Sequence, residues 1–342
     1  MKPFFQRQAH WDDAIGRIYA SLEHVKLAEA RSADRLVLRR DSRIRSVWSS
    51  VVIEGNRLTP EQAEGVVNGR TVFGPARDIA EVQGTWAAYE AMDSYDPFSV
   101  ESFLTAHRLV MNGLLEDAGS FRAVDVEVVN ADQEVLHEGA APELVRPGME
   151  QLFEWAGQAD VHPLLTSSAT HFMIEFIHPF RDGNGRMGRL WQTLMLSRWN
   201  ELFAWMPIET LIHDNQEGYY TALHTSHNGR IEASPFISFM LGIIEASLSA
   251  YTGLARNEGR KEDVNEGRTL RLDATDRLIL QALAGDGTLT IDQLATQAGK
   301  SHATVERRLA KLRATGLIRR VGATKNGLWL VNQTGVSDGD AD

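Results

Sequence analysis

Residues 178–189 read His178-Pro179-Phe180-Arg181-Asp182-Gly183-Asn184-Gly185-Arg186-Met187-Gly188-Arg189, which sets a base, a hard oxygen ligand, a glycine-rich turn and arginines within one short segment. These are the groups that phosphoryl or nucleotidyl transfer needs. Gly183 and Gly185 open backbone angles that let successive N–H groups point into one concavity, where an anion would sit. Arg186 and Arg189 are three apart, so on a helix they are neighbours and both guanidinium forks can reach along a polyphosphate chain. A triphosphate suits that reach better than a monophosphate. Asp182 is an oxygen ligand of the kind that a nucleotide-borne Mg²⁺ needs only once or twice. His178, titrating near neutrality, is suited to take a proton from an attacking hydroxyl. The loop, the arginines and the metal would then carry the transition-state charge. Each piece alone has a blander reading as a structural histidine, a turn triplet or a pair of solvated arginines. The joint pattern carries the argument.

The segment needs two fixed ends, and the flanking residues supply them. An apolar stretch over 169–177 precedes it and another over 190–196 follows, so the spacing predicts helix, tight loop, helix. Pro179 cannot continue the first helix normally, and the second is expected to begin at about Gly185 or Arg186. Its N–H groups and dipole add to the attraction for phosphate.

The segment 178–189 resembles, without departure, the His-Pro-Phe-x-Asp-Gly-Asn-Gly-Arg-x-x-Arg signature of Fic-domain proteins. The resemblance implies a protein adenylyltransferase that moves AMP from ATP to a Ser, Thr or Tyr hydroxyl of a target protein or of itself, releasing pyrophosphate. It implies His178 as the base, Asp182 as the Mg²⁺ ligand, and Gly183, Asn184 and Gly185 as the anion hole, with Asn184 near the α-phosphate. Arg186 would contact the β-phosphate and Arg189 the γ-phosphate, with Met187 and Gly188 counted in the same nucleotide-binding segment. Phe180 is the motif's core anchor.

Upstream, Gly119-Ser120-Phe121-Arg122 and the alternating residues 124–137 read as two short strands about an Asn130-Ala131-Asp132 turn. They resemble the Fic flap, which covers the site and pairs with the target segment by strand addition. Val129 and Asn130 would then lie nearest the nucleotide. Downstream, residues 207–223 resemble the helix that closes over adenine and ribose, which implies nucleotide contacts for Tyr219, Tyr220 and His227. For the tyrosines, packing between helices is the alternative reading.

A second segment, 45–60, places Ser50 and Glu54 one turn apart on a helix that Gly55-Asn56 should stop. A carboxylate at a helix C-terminus is electrostatically misplaced unless a positive group faces it. The segment resembles the Ser-x-x-x-Glu-Gly inhibitory motif of Fic proteins, which implies that Glu54 pairs with Arg189. That pairing would occupy the fork meant for the γ-phosphate and hold the enzyme off at rest. Two other functions stay open. One is an ATP-sensing, DNA-binding transcriptional regulator, which would need the anion loop but not the His178 base. The other is AMP removal or another nucleotide transfer at the same site.

The fold class expected is mainly α: a Fic-type helical bundle with a small hairpin flap and a C-terminal winged helix. Apolar residues at three-and-four spacing predict helices over 12–30, 41–53, 60–68, 76–92, 100–112, 147–156 and 163–177. The expected divisions are an N-terminal helical region with the inhibitory helix (1–96), a catalytic core (97–254), a charged linker (255–270), a winged-helix domain (271–334) and an acidic tail (335–342). The linker is either a solvated helix or a tether. Within 271–334, helices near 276–283, 290–298 and 301–312 precede strands at 318–321 and 328–331. That stretch carries ten Lys/Arg against five Asp/Glu, a net +5 in a chain of −11. The asymmetry fits DNA, although winged helices also bind proteins.

With 342 residues and 43% hydrophobic content the chain can bury more than one core, and with no cysteine it has neither disulfides nor thiolate metal sites. No secretion signal or membrane-length apolar run is read, so a cytoplasmic location is expected, with no membrane partner. Family resemblance adds the expectation of a homodimer.

Overall fold

A computed structural model describes residues 4–30, 35–129, 135–227, 231–266, 274–314, 317–321 and 328–331. In chain order the first helices are α1 (His10–Glu29), α2 (Arg35–Ile53), α3 (Pro60–Val67), α4 (Ala76–Glu90) and α5 (Val100–Val110). A hairpin of β1 (Glu127–Val129) and β2 (Val135–Glu138) follows, and then α6 (Pro142–Gln158), α7 (Pro163–Ile177) and α8 (Asn184–Trp199). The helices continue with α9 (Ile208–Asp214), α10 (Gln216–His227) and α11 (Ser234–Glu266). Last come α12 (Ala274–Gly285), α13 (Ile291–Ala298), α14 (His302–Ala314), β3 (Ile318–Val321) and β4 (Leu328–Val331). The chain forms two compact units, 1–261 and 262–342.

In the first unit α7 and α8 pack against each other at the centre. Both are buried almost all round: Leu164, Phe172 and Ile174 on α7 and Leu190, Trp191 and Leu194 on α8 have no exposed surface. A helix apolar on every side has nowhere to go but the middle of a bundle. Around this pair, α2 packs on α3, α4, α8 and α9, α4 on α5, and α6 on α7. Local signals set several ends. Thr59 and Gln62 form a reciprocal capping box with Pro60 at the first turn of α3.

Two helix starts differ from the periodicity. α2 begins at Arg35, not Asp41, and α6 begins at Pro142, not Pro147. Pro147 lies inside α6 and removes one backbone bond, a loss of about 3 kcal/mol or more. Burial of Val145, Met149, Leu152 and Phe153 along one face offsets it, since each buried side chain of this size contributes roughly 1.5–3 kcal/mol. The charged stretch after Ala255 is helical as far as Glu266, because α11 runs through it.

α11 also contains 22 residues, Ser234–Ala255, long and apolar enough to span a membrane. Its inner face is the core of the first unit: Phe236, Ile237, Met240, Ile244 and Leu248 are fully buried there.

The hairpin pairs antiparallel, Glu127 with Glu138 and Val128 with His137, and a bulge falls between Val128 and Val129. The turn expected at 130–132, with Asn130, lies outside the described residues. The second unit has its own core of Ile279, Leu283, Leu294, Val305, Leu309, Leu312, Ile318 and Trp329. Thr290 caps α13 through a capping box, and Gly299, at φ 61°, makes the tight turn into α14. β3 and β4 pair antiparallel from Ile318–Val331 to Val321–Leu328. Helix, helix-turn-helix and a two-stranded wing is the winged-helix arrangement.

Candidate nucleotide site

α7 ends at His178, the one non-glycine residue with positive φ among the described residues (φ 51°, ψ 62°). Pro179 disfavours the α region for the residue before it, so the chain leaves the helix there. A left-handed non-glycine residue costs on the order of 1–3 kcal/mol, so its surroundings must hold it. The His178 N–H donates to Ile174 O at 3.0 Å, and Arg122 Nε donates to His178 O at 2.7 Å. His178 Nδ1 lies 3.3 Å from Glu175 O. A carbonyl only accepts, so the proton belongs on Nδ1 and the lone pair on Nε2, the form that can take a proton.

The loop is then bolted to the core. Phe180 is fully buried and stacks on His107 with ring centroids 3.5 Å apart and planes at 3°. His107 Nδ1 accepts from Gly119 N–H at 2.9 Å, which leaves its Nε2–H to donate to Asp182 O at 3.0 Å. Burial pushes His107 down to about 4, so it holds the loop as a neutral ring. The Asn184 side chain is folded back on Phe180: Oδ1 accepts from the Phe180 N–H and Nδ2 donates to the Phe180 O, each at 2.9 Å.

α8 starts at Asn184, one or two residues earlier than the spacing suggested, with Gly183 at φ 89° before it and no side-chain cap. Asn184, the residue best suited to cap it, is engaged with Phe180 instead. The first N–H groups of a buried helix therefore face the site without a side-chain acceptor, which is the arrangement that draws anions.

Both arginines of the first turns are 2% exposed. Arg186 Nη2 donates to Asp182 Oδ1 at 2.9 Å, with Glu81 a looser 3.8 Å from Nη1. Asp182 Oδ2 also receives Arg77 Nη2, from α4, at 2.8 Å. Arg189 is held by the end of α2: its Nε donates to Ser50 Oγ at 3.1 Å, and its Nη2 to Ser50 O at 2.9 Å and Glu54 Oε1 at 2.7 Å. Burial opposes the Arg189 charge, but Glu54 with Tyr219 and Glu175 outweighs it and holds the guanidinium above its ordinary value. Glu54 reaches over the start of α8, where a Cβ placed on Gly185 would collide with Glu54 Oε1. Among the described residues of this site, three buried guanidinium nitrogens have no hydrogen-bond partner: Arg186 Nε, Arg186 Nη1 and Arg189 Nη1. Unsatisfied buried guanidinium N–H groups are costly, and beside a bare helix N-terminus they call for a multiply charged oxyanion.

The other expected site residues are placed as follows. Gly55, at φ 90°, ends α2, as its turn requires. Met187 is fully buried in the core, and a Cβ on Gly188 would meet His171, so these two pack inward and not toward the anion. Tyr219 is 1% exposed and bonded to His171 (3.1 Å) and Glu175 (3.4 Å), a packing position. Tyr220 and Gln216 instead cap the end of α2, donating to Ile53 O at 3.4 and 3.1 Å. His227 stacks on Phe176 at 5.1 Å. Val129 is the last residue of β1. The reading of residues gave no role to His107, Arg77, Glu81 or Arg122, which hold the loop or its charges. Arg122 follows the Gly119-Ser120-Phe121 run, and the others carry no local signal at all.

The loop between α7 and α8 thus joins a left-handed histidine, a glycine-started helix N-terminus and two buried arginines within twelve residues of a helical bundle. Residues 97–196 match the model of the Fic/DOC family, and residues 272–319 match that of a winged helix-turn-helix DNA-binding family. A crystal structure of a Fic family protein from Desulfovibrio desulfuricans G20 is 32% identical, with a TM-score of 0.70, covering 98% of this chain and 100% of that one. The chain belongs to the Fic family. It is also 28% identical over 219 residues to protein adenylyltransferase fic-1 of Caenorhabditis elegans, covering 60% of this chain and 41% of that protein. Protein adenylyltransferase Fic of Nematostella vectensis is 26% identical, with 60% of this chain and 48% of that protein covered. The chain thus spans less than half the length of these curated relatives.

Proposed function

We propose that this chain is a protein adenylyltransferase, held off at rest by Glu54. An acceptor Ser, Thr or Tyr oxygen attacks the α-phosphorus of ATP and the bond to the β-phosphate oxygen breaks. Pyrophosphate leaves, and the hydroxyl proton passes to His178 Nε2. Gly183, Gly185 and the Asn184 backbone offer N–H groups to the α-phosphate, Arg186 takes the β-phosphate, and Arg189, once released from Glu54, takes the γ-phosphate. The single observation that carries this reading is the set of unpartnered donors on Arg186 and Arg189 beside the bare start of α8.

The donor set fits a magnesium ion brought by the nucleotide. Asp182 presents a carboxylate that is one-third exposed, and no cluster of three or more acidic or histidine side chains gathers among the described residues. A lone carboxylate is what such an ion requires of the protein, the phosphates supplying the rest. When bound, the ion would neutralise charge on the leaving pyrophosphate. To hold such an ion, Asp182 would have to be released by Arg77 and Arg186, which occupy its two oxygens here.

Incubation with labelled ATP and Mg²⁺ tests the reading. Wild-type protein is expected to label weakly, Glu54→Gly strongly, and Glu54→Gly with His178→Ala not at all. A Glu54→Gly variant that binds ATP but labels neither itself nor any protein would overturn the transferase assignment. The proposal places the reaction in the cytoplasm and includes a homodimer, which sedimentation of the full chain checks.

For the second unit, the match to a DNA-binding winged-helix family supports DNA as the partner. The basic charge is not all available. Asp276, fully buried, receives Arg308 at 3.2 Å and Lys311 at 2.8 Å, so these two stabilise the fold, while Lys300, Arg307 and Arg313 stay exposed. A mobility-shift titration across salt concentration decides: binding that weakens as salt rises supports DNA, and no shift at low salt points to a protein partner.

A further inference from the structure

Arg122 is 3% exposed, and no carboxylate lies within ion-pair distance of it among the described residues. Among the described residues, every hydrogen bond its guanidinium makes goes to a main-chain carbonyl. Nε donates to His178 O at 2.7 Å, Nη1 to Val124 O at 2.7 Å, and Nη2 to Ala140 O and to Ile177 O, the last at 3.2 Å. Its own N–H donates to Pro179 O at 3.0 Å. Burial lowers its affinity for the proton, partly countered by Asp125. A buried cation whose hydrogen bonds go to carbonyls rather than to a carboxylate is an expensive arrangement for packing alone.

The four carbonyls fall on three separate pieces of the site. His178 and Ile177 are the base and the last residue of α7, Val124 leads into β1, and Ala140 follows β2. Two backbone bonds run alongside, Gly139 N–H to Val126 O at 3.0 Å and Ala140 N–H to Ile177 O at 3.3 Å. The left-handed His178 has its carbonyl fixed by Arg122 and its N–H fixed by Ile174. Among the described residues, no hydrogen bond joins Arg122 to Gly183, Gly185, Arg186 or Arg189.

Resting on the transferase reading above, we propose that Arg122 is a positioning residue that locks the strained backbone of His178 to both stems of the flap, so that the base and the strand offered to the acceptor protein are held as one unit. Without Arg122 the strain at His178 relaxes and the imidazole drifts from the acceptor oxygen. A displacement of about 1 Å at a reacting group costs on the order of 100-fold in rate. Nucleotide binding, carried by other residues, stays.

The test uses the full chain in the Glu54→Gly background, with Arg122→Lys and Arg122→Ala added separately. The expected result is a fall in kcat for AMP transfer of roughly 100-fold in the alanine variant and less in the lysine variant, which keeps part of the donor set. KM for the acceptor protein rises, and the affinity for ATP by calorimetry changes by less than about threefold, which corresponds to about 0.65 kcal/mol. Added methylguanidine restores part of the alanine variant's rate, as a missing guanidinium should. Unchanged transfer in both variants would overturn the assignment, as would loss of ATP binding in step with transfer in Arg122→Lys, which would mark Arg122 as packing only. If Glu54→Gly with Arg122 intact transfers nothing, the transferase reading fails and this inference with it; if it transfers and both Arg122 variants match it, only the inference fails.

Discussion

Replacing Glu54 with glycine should convert a poor ATP site into a good one, and the size of the change can be worked from the contacts. Arg189 is 1% exposed and its partner Glu54 31%, at 2.7 Å. Breaking a charge-assisted hydrogen bond of this kind costs about 1.5–3 kcal/mol. A carboxylate left beside a γ-phosphate at about 5 Å adds on the order of 3 kcal/mol of repulsion at an effective dielectric near 20. Screening at Glu54, whose side chain is about one-third exposed, reduces both contributions. A net of roughly 3–4 kcal/mol remains, about two to three decades in affinity for the productive pose. ATP titration by calorimetry and initial rates of AMP incorporation at limiting ATP should both improve by about 100-fold or more. The free variant should be less stable than wild type, because Arg189 is left without its counter-charge, and should gain more than wild type from saturating ATP in a thermal melt. Ser50→Ala, which removes only the 3.1 Å bond to Arg189 Nε, should move the same assays by about tenfold or less. Equal ATP affinity and equal labelling for wild type and Glu54→Gly would refute the reasoning, because the carboxylate would then not compete with the phosphates.

Gly183→Ala should lose nucleotide binding and stability together: the residue sits at φ 89° and a Cβ there would lie 2.8 Å from Met111 Sδ, which calorimetric ATP titration and melting both register. Glu29 is buried, which alone would raise its pKa, but hydrogen bonds from Arg39 (2.9 Å) and Tyr251 (2.7 Å) hold it below its ordinary value. The folded state thus favours the carboxylate, and its contribution is present above the ordinary glutamate pKa of about 4.3 and lost as pH falls through the lower folded value. Urea unfolding at a series of pH values should show a flatter acid limb in Glu29→Gln than in wild type. In the second unit, Arg307→Ala should lower the salt slope of DNA binding by about 0.9 without changing the melting temperature, whereas Lys311→Ala should lower the melting temperature by exposing the charge of Asp276.

Much of the architecture was open to reading because short-range physics sets it. α7 starts and stops where Pro163 and the His178-Pro179 pair predict, and the wing strands at 318–321 and 328–331 carry their own alternation. The helix starts that differ from the expectation, at Arg35 and Pro142, lie where apolar residues face solvent, as Leu36 and Val37 do, or where a proline argues for interruption. There burial of one face in a common core decides, and no window of sequence contains the partner surface. Tyr219 shows the same limit, since only packing separates a core tyrosine from one that faces a nucleotide.

What the sequence alone determined is the chemistry in residues 178–189, because base, carboxylate, glycines and arginines lie within one loop and its first helical turns. Only the tertiary structure decided the state of that chemistry. Glu54 meets Arg189 across 135 positions, His107 meets Asp182 across 75, and Arg122 meets His178 across 56. Contacts over such separations arise when helices share one core, and they set which donors are taken, which wait for a ligand and which hold the base in place.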